Sequence, residues 1–183
     1  MTDNILDAIV NVSTKRNLIP NRIERRTDMS PEEKIDISEI IDQNLITLDL
    51  QATTKLDAIK ELTELLFANN DINDKEDFIA DVLLRETEGV TGIGQGVAIP
   101  HGKSAAVNNT TIAIGLSKHD IEWETLDGAP VTAIILFAVR DQDANTLHLK
   151  LLQKVAILLS DDNFIENLHQ VESKEALEKM FIS

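Results

Sequence analysis

Residues 131–139 read VTAIILFAV, with Thr132 the single polar side chain in the run. A strand this apolar has no face to give to water, so it belongs at the centre of a sheet covered on both sides. The rest of the chain must then provide helices for two layers.

It does so in alternation with further strands. Apolar residues at Ile46, Leu48 and Leu50 predict a strand over 45–50. Thr53 or Thr54 caps a helix running to Asn69, with Leu56, Ile59, Leu62, Leu65 and Leu66 as its apolar stripe. A second helix is expected over 75–88, with Phe78, Ile79, Val82 and Leu83 inward and Gly89 as its stop. Strands follow at 97–99 and 110–117, a shorter one at 121–123, and a turn at Asp127-Gly128. Helices are expected over 145–160, 162–170 and 173–181, the last capped by Ser173. The fold class this predicts is α/β, a mixed β-sheet sandwiched between helical layers. Residues 1–34 read as an N-terminal helical arm ahead of a domain at 35–183. The arm has a short amphipathic helix at 4–14, a polar linker broken by Pro20, and a capping-box start at Ser30-Pro31. That start leads into a short helix over 37–41.

Aromatic residues make up only 3% of the chain, so the core must be built from Leu, Ile, Val and Ala. The absence of cysteine excludes disulfides, thiolate zinc sites and a cysteine nucleophile. No secretory h-region or membrane-length apolar run is visible, and a cytoplasmic location is expected. A net charge of −15 argues against nucleic acid as a partner, because phosphate binding needs a basic face. Residues 1–34 carry six basic and six acidic side chains, so the whole excess lies in 35–183.

The chemistry concentrates at 89–103, GVTGIGQGVAIPHGK, which holds five of the seven glycines. Two phosphate-binding patterns come close here and fail. Gly92-x-Gly94 is followed by Val97 where a dinucleotide fingerprint needs its third glycine, and the segment follows a helix. Gly102-Lys103-Ser104 ends like a P-loop, but position 97 is Val, and Pro100 removes an amide from the would-be cradle. What remains is His101, set between Pro100 and Gly102 at the end of a short strand, where a single imidazole is expected to stand in the open. Neither neighbour helps it pack, so a functional role is favoured over a turn histidine.

His148 falls on the 145–160 helix beside the stripe marked by Leu147, Leu151 and Leu152, and its value depends on reaching His101. His119 reads as a turn residue and His169 as a helix-end residue, both structural. Arg85, in the last turn before the glycines, is either a solvated arginine or a guanidinium able to neutralise a phosphoryl group on His101. There is no HExxH and no histidine pair at i, i+4, so a zinc hydrolase has weak support; no Gly-x-Ser-x-Gly occurs either.

Taken together, Leu84-Arg85-Glu86, the run GVTGIGQGVAIPHGKS, Ile121-Glu122-Trp123, 126–131 and His148-Leu149 resemble a known family. It is the enzyme IIA component of the bacterial phosphoenolpyruvate-dependent sugar phosphotransferase system, fructose/mannitol type (type 2). The likeness covers roughly residues 36–182 and leaves the arm outside. It implies that His101 takes a phosphoryl group on Nε2 from the histidine-containing phosphocarrier protein and passes it to a IIB component. It further implies that His148 lies beside His101 and that Arg85 contacts the phosphoryl group. No cofactor and no metal are implied, because the donor phosphoryl is already activated, and the membrane is reached only indirectly through the IIB/IIC permease.

Two roles fit this resemblance. One is a transport phosphocarrier for a fructose-family sugar or a mannitol-like polyol, favoured by the fructose-like run from Ser104 to Trp123. The other is a regulatory protein similar to the nitrogen-related branch, in which the phosphorylation state of His101 would control protein binding.

Overall fold

The computed structural model describes residues 37–182, so the expected arm over 1–34 lies outside the described residues. Within them a six-stranded sheet has the order β1-β5-β6-β3-β2, with β4 also on β6. The strands are β1 (Ile41–Thr47), β2 (Gly92–Gly94), β3 (Val97–Ala98), β4 (His101–Lys103), β5 (Thr111–Ile121) and β6 (Val131–Val139). The helices are α1 (Lys55–Ala68), α2 (Lys75–Glu86), α3 (Leu147–Leu158), α4 (Asp162–Gln170) and α5 (Lys174–Ile182). The α/β sandwich expected from the sequence is the fold.

The apolar run at 131–139 is central as predicted. Its alternating side chains feed two cores: Ala133, Ile135, Phe137 and Val139 pack with residues of α3, α4 and α5. Ile134, Leu136 and Ala138 pack with residues of α1 and α2. A fully buried aliphatic or aromatic side chain contributes about 1.5–3 kcal/mol, so a polar substitution at any of these seven positions would damage one layer or the other.

β5 lies antiparallel on one side of β6, and β3 and β4 lie parallel on the other. Val97 stands opposite Ala133, and His101 stands opposite Phe137. The offset is unchanged between the two, so β3 and β4 are one strand path interrupted at Ile99-Pro100. Pro100 has no N–H to give, but its carbonyl still accepts from Phe137 N–H at 3.0 Å. Ile99 turns its own N–H away from β6 to the Thr91 carbonyl, also at 3.0 Å.

Several boundaries move. The short helix expected at 37–41 is a 3-10 turn at Ile37–Glu39, and the first strand begins at Ile41 instead of residue 45. A register shift against β5 between Ile41 and Ile46 absorbs the polar Asp42-Gln43-Asn44, which had hidden the strand. α2 ends at Glu86 with Thr87 as its cap, so Gly89 is not its stop. A 3-10 turn at Asp141–Asp143 delays α3 to Leu147. Caps at Thr54 and Ser173 form as predicted, accepting from the Asp57 and Ala176 amides. Gly128 takes φ +73° in the expected turn.

Candidate active site

Phe78, Val82 and Arg85 recur at i, i+4 and i+7, one face of α2. That face lies on β4. A Cβ on Gly102 would come within 2.7 Å of Val82 Cγ2 and 3.0 Å of Phe78 Cε2, so the missing side chain is what lets α2 settle there. One turn further along, Arg85 Nε stands 2.9 Å from His101 Nε2. The sequence order helix, glycines, Pro-His-Gly thus becomes a guanidinium against an imidazole.

This contact determines the tautomer of His101. A guanidinium can only donate, so Nε2 must accept. Nδ1 faces the Ile99 carbonyl at 3.3 Å, and a carbonyl can only accept, so Nδ1 carries the proton. Both neighbours demand the same state: Nδ1–H, with the lone pair on Nε2.

His148 leads the buried stripe of α3, ahead of Leu151 and Val155, rather than sitting beside it. Leu147 and Leu152, expected to mark the buried face, are only partly buried. The His148 ring lies 5.3 Å from the His101 ring, centroid to centroid, and edge-on to Phe137 at 6.2 Å. Phe137 is the β6 partner of His101, so strand pairing and helix packing deliver the two imidazoles to one place. The third group at the pair is the Arg85 guanidinium and not a carboxylate, which turns the site away from metal ligation.

His101 was expected in the open, yet it is 8% exposed and His148 only 2%. The reason is β4: the strand continues past Pro100, and His101 sits within it, not beyond its end. Burial, then the positive charge of Arg85, then the neighbouring His148 push the His101 pKa down to about 3. Burial, then Lys103, then Arg85 lower that of His148 to about 4. Both rings are neutral near pH 7, beside a permanent cation. Two buried nitrogens there, Arg85 Nη1 and His148 Nδ1, have no hydrogen-bond partner. A buried polar group left unpaired is costly, and an anion carrying several acceptor oxygens is the kind of group that would satisfy the Arg85 donor and, in its Nδ1–H tautomer, His148.

The glycines of 89–103 serve the backbone around the site. Gln95 and Gly96 both have positive φ and join β2 to β3 in a tight hairpin. A Cβ on Gly92 would strike the Glu124 carbonyl at 2.4 Å. The Gln95 amide is taken by Asp127 Oδ2 at 2.8 Å. This hairpin braces β3, which carries the chain into His101.

His119 is not in a turn: it lies in β5, with Nε2 donating to the Ala52 carbonyl at 3.0 Å. His169, at the end of α4, pins the hairpin through Nε2 to the Gln95 carbonyl at 2.8 Å. Both rings hold backbone carbonyls, away from the His101–His148 pair. The carbonyl of Ile99 and the cation of Lys103 are site features that motif reading passes over. Strand alternation could have found Lys103, two residues past His101 on the same face of β4.

The family model for the phosphoenolpyruvate-dependent sugar phosphotransferase system, EIIA 2, matches residues 39–183. The fructose-specific EIIABC component of Bacillus subtilis (strain 168) is 34% identical over 141 residues; these are 77% of this chain but only 22% of that protein's length. The fructose-specific EIIA component of Haloferax volcanii is 31% identical over 143 residues, 78% of this chain and 92% of that one. Among solved structures, the nitrogen regulatory protein IIA-Ntr from Neisseria meningitidis has a TM-score of 0.73 at 32% identity, covering 79% of this chain and 98% of that one. With nearly all the described fold inside the matched span, the chain belongs to the EIIA type 2 family of the phosphoenolpyruvate-dependent sugar phosphotransferase system.

Proposed function

We propose that the protein is a phosphocarrier of the sugar phosphotransferase system that accepts a phosphoryl group on Nε2 of His101. One observation carries the reading: Nδ1–H is held on the Ile99 carbonyl while the Nε2 lone pair faces Arg85. An imidazole so held is neutral, nucleophilic at one nitrogen and unable to switch tautomer cheaply.

The donor is the histidine-containing phosphocarrier protein. As the bond from Nε2 to phosphorus forms, the bond from phosphorus to the donor nitrogen breaks, and the donor imidazole leaves with its electron pair. His101 keeps its Nδ1 proton, and the Ile99 carbonyl stabilises the ring as it loses electron density. Arg85 must give up Nε2 for the attack and then take phosphoryl oxygens, using the fork that now includes an unpartnered Nη1. His148 backs the ring, and its free Nδ1 offers a further polar contact. Positioning and charge are most of what phosphoryl transfer asks of a protein.

The acceptor is a IIB component, and the cargo a fructose-family sugar or a mannitol-like polyol. Support comes from the fructose-specific relatives, one of them an EIIABC protein. The carrier unit spans 35–183, with 1–34 an arm ahead of it. A chase tests this: phosphorylated protein is mixed with a fructose-type IIB and IIC in membranes and with sugar. Discharge that depends on the sugar supports transport. The similarity to a nitrogen regulatory protein sustains a second reading, in which the phosphorylation state of His101 governs protein binding. A stable complex that forms in only one phosphorylation state, without sugar-dependent discharge, favours that reading.

A further inference from the structure

We propose that Thr91 is a positioning residue that sets the spacing of Arg85 and His101; the proposal rests on the phosphocarrier reading of this site. Thr91 is 3% exposed and belongs to neither helix nor strand. Its hydroxyl donates to Glu86 Oε1 at 2.7 Å and accepts from Trp123 Nε1–H at 3.2 Å. Its carbonyl accepts from Ile99 N–H at 3.0 Å. These bonds lead to the two halves of the reacting pair.

Glu86 follows Arg85 in the last turn of α2. Its side chain is 6% exposed, and Lys55 Nζ holds its other oxygen at 3.3 Å. Fixing Glu86 fixes the roll of that turn, and with it the direction in which Arg85 leaves the helix. Ile99 is the residue whose carbonyl holds His101 Nδ1. Thr91 therefore ties the end of α2 to the residue whose carbonyl selects the His101 tautomer. Lys55 also bonds Glu124 and lies 5.7 Å from the centre of the Trp123 ring, so the strut is anchored to the chain just after β5.

A hydroxyl in so buried a place is costly unless used, and this one is used as both donor and acceptor. Valine has the same shape. It would leave Glu86 Oε1 and Trp123 Nε1–H without this partner while filling the same space. Displacements well under an ångström matter at such a site, because acceptance requires the Nε2 lone pair to meet phosphorus in line while the guanidinium meets the phosphoryl oxygens.

The test is Thr91→Val, with Thr91→Ser as the conservative rescue. It has two readouts on the full chain: the imidazole nitrogen-15 spectrum of His101 without phosphoryl donor, and the rate of acceptance from the phosphorylated carrier protein. Thr91→Val is expected to convert the single Nδ1–H signature into a tautomer mixture and to slow acceptance on the order of tenfold. Thr91→Ser should restore both. A native tautomer and native rate in folded Thr91→Val would overturn the proposal. If Thr91→Val fails to fold, Glu86→Met removes the acceptor of the Thr91 hydroxyl at similar volume, and an unmoved spectrum and rate there would overturn it equally. The nitrogen-15 readout needs no donor, so a wild type that cannot be phosphorylated would count against the phosphocarrier reading while the strut is still tested.

Discussion

Arg85 Nε and His101 Nε2 lie 2.9 Å apart, and the guanidinium occupies the lone pair that a nucleophile must present. The contact holds the neutral imidazole ready, and it must open before phosphorus can approach in line. Arg85 is thus both a guard of the resting site and a partner of the phosphorylated one.

Removing that side chain should separate these roles. Arg85→Ala is expected to slow phosphoryl acceptance by about a hundredfold, the range for loss of one preorganised donor to a developing anion. It should also raise the His101 pKa, since Arg85 is the largest charge holding it down. Rapid-quench kinetics and imidazole titration measure the two effects. A wild-type rate would return Arg85 to a merely structural place.

His148 contributes a ring against His101 and a nitrogen with no partner. His148→Ala should therefore impair transfer more than folding. The expected loss in rate is on the order of tenfold or more. The stability cost should be about 1–3 kcal/mol, from lost packing without a broken hydrogen bond at Nδ1. Denaturation midpoints set beside single-turnover rates check this. An unchanged rate would take His148 out of the reaction.

Acid should destabilise the fold earlier than its carboxylates alone would cause. The folded-state pKa values of about 3 for His101 and about 4 for His148 lie below the unfolded value near 6.5. Their contribution is complete above about pH 6.5, where both states hold neutral imidazole. It is lost as pH falls towards about 3–4, because the unfolded chain takes up protons that the folded one refuses. Asp127, Asp143 and Glu124 are themselves shifted below ordinary carboxylate values, so their effect comes at still lower pH. Urea midpoints at pH 7.5 and 5 should differ in the wild type and differ less in His101→Gln. Equal differences would mean that His101 titrates normally.

The close seat of α2 on β4 predicts a lesion away from the reacting atoms. Gly102→Ala would press a methyl group into Val82 and Phe78. It should cost about 1–3 kcal/mol by overpacking and push Arg85 off His101. Thermal unfolding and acceptance kinetics should fall together. Native values for both would show that α2 can shift without consequence.

Much of this was legible in the sequence, and the exceptions have physical causes. The apolar run at 131–139 announces a strand buried on both faces, and the 3.6-residue stripes of the flanking helices follow. His101, His148 and Arg85 are singled out by local chemistry and by resemblance. The burial of His101 was not legible, because Pro100 looks like a strand end. Only the parallel register with β6 shows the chain carrying on past it. Polar residues 42–44 concealed the first strand for a related reason: a register shift tolerates them where alternation does not. The failure of both phosphate-binding patterns at the glycines was legible; what the glycines do instead was not, because hairpin turns and close backbone approaches, which use most of them, depend on partners distant in sequence.

The most direct measurement is phosphorylation by phosphoenolpyruvate, enzyme I and the histidine-containing phosphocarrier protein, comparing wild type with His101→Ala and locating the group by phosphorus–nitrogen NMR. Label is expected on wild type alone, bonded to Nε2. Label that persists in His101→Ala, label on Nδ1, or a folded wild type that takes none would contradict this.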